Sequence, residues 1–107
     1  DLPWYVAKKN LKTNELLCVQ GNDHPLLFSR ELSTKNLFKL EDSLPISFEG
    51  TAKVRYRQED QKCEINVEDN ALSIKFHKPQ RSVTPGQSVV IYKNDKCLGG
   101  GEICTIN

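Results

Sequence analysis

Methionine is absent from all 107 residues, so Asp1 is not a translational start and the chain is expected to continue a longer polypeptide. Long apolar runs are missing too. The longest reaches only a few residues, Ser88-Val89-Val90-Ile91-Tyr92, far short of the roughly 20 a helix needs to cross a bilayer. No signal-peptide pattern is present, although an N-terminus outside this sequence could carry one. Metal-type cysteine spacing is lacking: among Cys18, Cys63, Cys97 and Cys104 there is no C-x-x-C pair, and the closest two are separated by six residues. Cys63 alternates with Ile65 and Val67, and Cys97 adjoins Leu98. The four are therefore read as reduced, mostly buried thiols of a cytosolic protein. An excess of one charge is missing as well, since the formal net charge is +1.

What is present suits one small soluble domain, or one domain and a piece of a second: 37% hydrophobic and 27% charged residues over 107 positions. Charge is distributed in local strips. Lys53, Arg55 and Arg57 fall within 53–57 with no acid, and Lys75, Lys78 and Arg81 within 75–81, again with none. Such strips fit a face that docks phosphates, because those contacts follow local potential. Solvated strand exteriors look the same, so composition leaves both readings open.

Trp4-Tyr5-Val6-Ala7 and Leu16-Leu17-Cys18-Val19 read as a hairpin over 4–20 joined by the polar turn Asn10–Asn14. Gly21–Pro25 reads as a loop and Leu37–Leu40 as a short strand, with 29–36 leaving room for a helical turn. A domain boundary is expected at Glu41–Pro45, dividing 1–43 from 44–107. Beyond it, period-two alternation is clear in Ala52/Val54/Tyr56, in Cys63/Ile65/Val67 and in Leu72/Ile74/Phe76, the pattern of strands whose side chains point to opposite faces. Pro79–Gly86 reads as a loop, Gln87–Tyr92 as a buried strand, Asn94-Asp95 as a hairpin turn, and Glu102–Ile106 as a last strand. The fold class is all-β: a small antiparallel barrel preceded by a hairpin subdomain.

No catalytic constellation is visible. His24 and His77 stand alone, without metal-ligand spacing, and His24 in its loop suits local turn hydrogen bonding. Gly99-Gly100-Gly101 lacks the lysine and helix of a phosphate loop and suits a bulge between strands. The most suggestive segment is Lys53-Val54-Arg55-Tyr56-Arg57-Gln58, which combines guanidinium forks, a phenol and an amide. Strand geometry would send Arg55 and Tyr56 to opposite faces.

Thr51-Ala52-Lys53-Val54-Arg55-Tyr56-Arg57-Gln58 resembles the segment entering the C-terminal barrel of bacterial tRNA-specific 2-thiouridylases. Pro79–Ser88 and Cys97-Leu98-Gly99-Gly100-Gly101 follow in that family's order, and Pro3–Val6 and Gly21–Leu27 resemble the end of its central domain. The resemblance implies a barrel like the second domain of elongation factors and a tRNA surface carried by Arg55, Tyr56 and Gln87. Tyr5–Lys9 and Lys62 stay outside that set. It also implies a separate catalytic domain using ATP and Mg, a sulfur-donor protein, and conversion of the wobble uridine to 2-thiouridine in tRNAs for lysine, glutamate and glutamine. The family's ATP loop and catalytic cysteines have no match here, so this stretch is expected to carry no catalytic residue, cofactor or metal. The rival expectations are a barrel that only braces the catalytic domain and, more remotely, a self-standing enzyme. A methyltransferase label is a further possibility, but no S-adenosylmethionine-type motif is present.

Overall fold

A computed structural model describes residues 2–55 and 57–107. Two sheets are present. A hairpin pairs β1 (Trp4–Asn10) with β2 (Glu15–Gln20), and a closed antiparallel barrel follows. Its strands are β3 (Phe28–Lys39), β4 (Ser47–Lys53), β5 (Gln61–Glu68), β6 (Ala71–Arg81), β7 (Ser88–Lys93) and β8 (Lys96–Ile106), in the spatial order β3-β6-β5-β4-β7-β8, with β8 pairing back onto β3. Closure leaves the barrel no open edge to pair with another chain.

Local chemistry explains the turns. Asn10 Oδ1 accepts from the N–H groups of Lys12 and Thr13 at 3.1 and 3.2 Å, which folds the β1–β2 connection. Asn94 and Asp95 both adopt positive φ (52° and 66°), as a two-residue turn of the β7–β8 hairpin requires. In Thr84–Gln87, Pro85 presets the first corner and Gly86 supplies φ 93° at the second. His24 Nδ1 accepts from Leu26 N at 3.1 Å and so caps the 3₁₀ turn Pro25–Leu27. That is the local role expected for it.

The alternation read in β5 and β6 places Cys63, Ile65, Leu72, Ile74 and Phe76 inside, where they pack with Phe48, Ala52, Val54, Val89, Ile91 and Ile103. Two expectations need correction. The stretch 28–39 is one continuous strand of the barrel, with neither a helical turn over 29–36 nor a separate strand at 37–40, and so the expected division at 43/44 does not separate the sheets. Three register shifts along β3, with Asn36 at φ 54°, break its period-two pattern, and Thr34, rather than an apolar residue, fills one inward position. Its buried hydroxyl accepts from Leu72 N at 2.9 Å. The second correction concerns the thiols. All four are free, but only Cys63 is buried; Cys97 is half-buried, and Cys18 and Cys104 are exposed.

The Gly99–Gly101 run lies inside β8 and coincides with a bulge against Ile91/Tyr92. Gly99 sits at φ 142°, and a Cβ on Gly100 would run into the Val89 carbonyl. Backbone passes too close there for any side chain.

Candidate nucleic-acid interface

The segment singled out at 53–58 is a loop for most of its length. β4 ends at Lys53, one residue before the buried Val54 anchors the chain to the core. Arg55 therefore lies beyond the end of β4, where strand alternation does not govern it. The Gln58 N–H donates to the Arg55 carbonyl at 3.2 Å, closing the turn. Tyr56 lies outside the described residues.

A chain of side-chain amides holds this loop. Val54 N donates to Gln58 Oε1 at 3.0 Å, and Gln58 Nε2 donates to Gln80 Oε1 at 2.7 Å. Gln80 Nε2 in turn donates to Gln61 Oε1 at 3.1 Å and to the Lys78 carbonyl at 3.0 Å. Gln80 is only 4% exposed, and a buried amide with its hydrogen bonds made is a fixed point rather than a cost. Arg55 and Arg57 are exposed on the loop that this relay secures.

Part of the charge on the barrel wall is cancelled across strands, by Lys35 with Glu102 at 3.4 Å and Lys75 with Glu31 at 3.9 Å. His77 meets Glu49 at 3.0 Å. Lys53 is answered by Asp60 at 3.2 Å and lies 5.5 Å from the Tyr92 ring centre. Among the described residues, no carboxylate comes within ion-pair distance of Arg55, Arg57, Lys78 or Arg81. Arg55 and Arg81, both without such a partner, thus lie together where β4 exits and β6 ends. The two basic strips meet there, because Arg55 Nη2 donates to the backbone carbonyl of Arg81.

Gln87 stands at the other end of the same connection. Its Oε1 accepts from Thr84 N at 3.2 Å, and its backbone N–H donates to the Thr84 carbonyl at 3.3 Å. The side-chain Nε2 has no partner among the described residues, so its two N–H groups are available to a ligand. Arg55 touches Arg81 and Gln87 touches Thr84. No contact joins Arg55 to Gln87 directly, but three residues of chain can separate their anchor points by only about 10 Å.

The buried Cys63 thiol is pushed up from 9.0 to about 12, by burial first and by the nearby Glu49 carboxylate second. It stays protonated near neutrality and is no nucleophile there. The glycine run is strand backbone packed against Phe38 and Val89. Among the described residues, no group of three or more His, Cys, Asp or Glu side chains could hold a metal ion. No helix among them is long and apolar enough to cross a membrane.

Residues 29–103, nearly the whole barrel, match the family model for the aminomethyltransferase β-barrel domain. The chain belongs to that family. The match takes in four of the six barrel strands in full, β3 from its second residue and β8 as far as Ile103. Over 105 residues the chain is 50% identical to the tRNA-specific 2-thiouridylase MnmA of Francisella tularensis subsp. novicida (strain U112) and to that of subsp. tularensis (strain SCHU S4 / Schu 4). Those alignments cover 96% of this chain and 29% of each relative, so the chain spans less than a third of the length of the curated relatives it matches. The similarity takes in the hairpin as well as the barrel, as the motif resemblance to tRNA-specific 2-thiouridylases indicated.

Arg81 escaped the reading of the sequence as a partner of Arg55, as did the Gln58–Gln80 pair. Both contacts join residues more than 20 positions apart, and no local pattern announces them.

Proposed function

We propose that this chain is the tRNA-holding part of an ATP-dependent tRNA 2-thiouridylase, contributing substrate grip and no catalytic group. In this reading the preceding part of the full-length protein adenylates the wobble uridine with ATP and Mg. Sulfur from a donor protein then gives 2-thiouridine in tRNAs for lysine, glutamate and glutamine, in the cytoplasm. The observation that carries the proposal is the Arg55 loop: an exposed guanidinium with no carboxylate partner among the described residues, on a turn tethered through Gln58 to the buried Gln80 amide. A phosphate needs fork-shaped, charge-assisted donors held in place. Tyr56 would lie against sugar or base, and the Gln87 amide would donate to the RNA backbone.

The bracing alternative draws on a different surface. The outward face of the hairpin carries Trp4, 68% exposed, with Val6 and Leu16 also exposed, and an apolar face of that kind suits packing against another domain. The two surfaces lie on different elements, the β1–β2 hairpin and the loop after β4, so both roles can coexist. In the full-length enzyme, Arg55→Ala should raise the KM for tRNA and leave that for ATP unchanged. A shift in ATP affinity at constant tRNA affinity would favour bracing alone.

A further inference from the structure

Arg81 is a half-buried arginine with no acidic partner among the described residues, yet its side chain is not turned to solvent. Its Nε donates to the Asn22 carbonyl at 2.8 Å, and its guanidinium carbon lies 5.1 Å from the centre of the Tyr5 ring. Tyr5 belongs to the hairpin, on the face it shares with the buried Val19. The Arg81 side chain therefore spans from the barrel to the hairpin and its following loop.

The backbone around Arg81 is pinned on both sides. Arg81 pairs with Phe28 at the end of the β3–β6 ladder. The next residue, Ser82, adopts φ 54° and donates to the Leu27 carbonyl at 2.6 Å. A non-glycine residue in the left-handed region persists only where its surroundings hold it. The carbonyl fixed by these contacts is the one that accepts from Arg55 Nη2. That bond uses one of the five guanidinium N–H donors of Arg55 and leaves the others for a ligand.

We propose that Arg81 is a positioning residue, whose side chain ties the hairpin to the barrel so that its own carbonyl holds the Arg55 guanidinium ready for a tRNA phosphate. The proposal rests on the tRNA-binding reading above. It adds that the hairpin, distant from Arg55 in sequence, sets the orientation of that side chain, so that tRNA grip depends on how the hairpin is seated.

The test is a double-mutant cycle in the full-length protein, with tRNA affinity measured at several salt concentrations for wild type, Arg55→Ala, Arg81→Ala and the pair. Arg81→Ala alone should weaken binding about five-fold, part of the charge-assisted contact made by Arg55. In the Arg55→Ala background it should add less than about two-fold, because the effect passes through Arg55. The salt slope of the double variant should match that of Arg55→Ala. Multiplying effects with a second counterion lost would mean that Arg81 touches RNA itself, and wild-type affinity in Arg81→Ala would mean that it positions nothing; either overturns the proposal. Should Arg81→Ala fold poorly, Tyr5→Leu removes the ring without changing any charge and should show the same dependence on Arg55. An RNA-free readout separates the two ideas. The Arg55 Nη2–H resonance, hydrogen-bonded to the Arg81 carbonyl, should be protected from exchange in wild type and lose that protection in Arg81→Ala. An unchanged resonance sinks the clamp, whereas unchanged tRNA binding in Arg55→Ala sinks the tRNA reading.

Discussion

Replacing Gln80 by methionine keeps the side chain's volume while removing three hydrogen bonds: from Gln58 Nε2 at 2.7 Å, to Gln61 Oε1 at 3.1 Å and to the Lys78 carbonyl at 3.0 Å. Neutral hydrogen bonds contribute about 1 kcal/mol each, and groups left behind without a partner add a desolvation cost. Gln58 and Gln61 are only half-buried and can turn to water, which offsets part of the loss. The expected destabilisation is about 2 kcal/mol, or roughly 10 °C in Tm for a domain of this size. The loop should suffer more than the barrel, because the amide relay is what ties Val54–Gln58 down. Trypsin, which cuts after arginine, should cleave native Gln80→Met after Arg55 and Arg57 many times faster than wild type. Chemical denaturation and timed proteolysis of the full-length protein measure the two effects. Equal cleavage rates with unaltered stability would refute the role given to the relay. A more stable variant would mean that burying the amide costs more than its bonds return.

Thiol alkylation should proceed quickly at Cys18 and Cys104 and reach Cys63 only on unfolding, with no zinc released; fast labelling of Cys63 in the native state would contradict its burial. Because the folded-state value of Cys63 is raised, from 9.0 to about 12, its contribution to stability is complete below pH 9 and is lost as pH rises from 9 toward 12. The difference in unfolding free energy between wild type and Cys63→Ala should therefore shrink over that window, and a constant difference would contradict the assignment. Gly100→Ala should cost about 2 kcal/mol or more, on the scale of overpacking, since the added methyl meets the Val89 carbonyl; a wild-type melting curve would mean that β7 and β8 separate more easily than their geometry suggests.

Legibility in the sequence followed the range of the interactions. The β5–β6 and β7–β8 hairpins were readable because alternation and turn residues are local: Leu72, Ile74 and Phe76 inside, Asn94-Asp95 at a corner that needs positive φ. β3 was not, because its bulges shift which residues face inward and Thr34 takes a core position through a hydrogen bond rather than through hydrophobicity. The division at 43/44 followed from that misreading, as Pro45 and the polar run before it signal a loop whether or not a domain ends there. Cys18 was grouped with the core thiols on the pattern of Cys63 and Cys97, but it lies on the hairpin face that carries the exposed Leu16. At the candidate site, Arg55 drew notice for its chemistry and Gln87 only through the family resemblance. The mounting of the Arg55 loop was not legible, since Arg81 and Gln80 reach it across the fold.

Equilibrium binding of tRNA to the full-length protein, with and without Arg55→Ala and across a series of salt concentrations, addresses the central claim most directly. Loss of a charge-assisted phosphate contact predicts weaker binding by about 1–3 kcal/mol and a salt slope shallower by about 0.9, the share of one phosphate. Wild-type affinity and an unchanged slope in Arg55→Ala would contradict the claim, leaving Arg55 as a solvated loop residue and the barrel without its assigned grip on RNA.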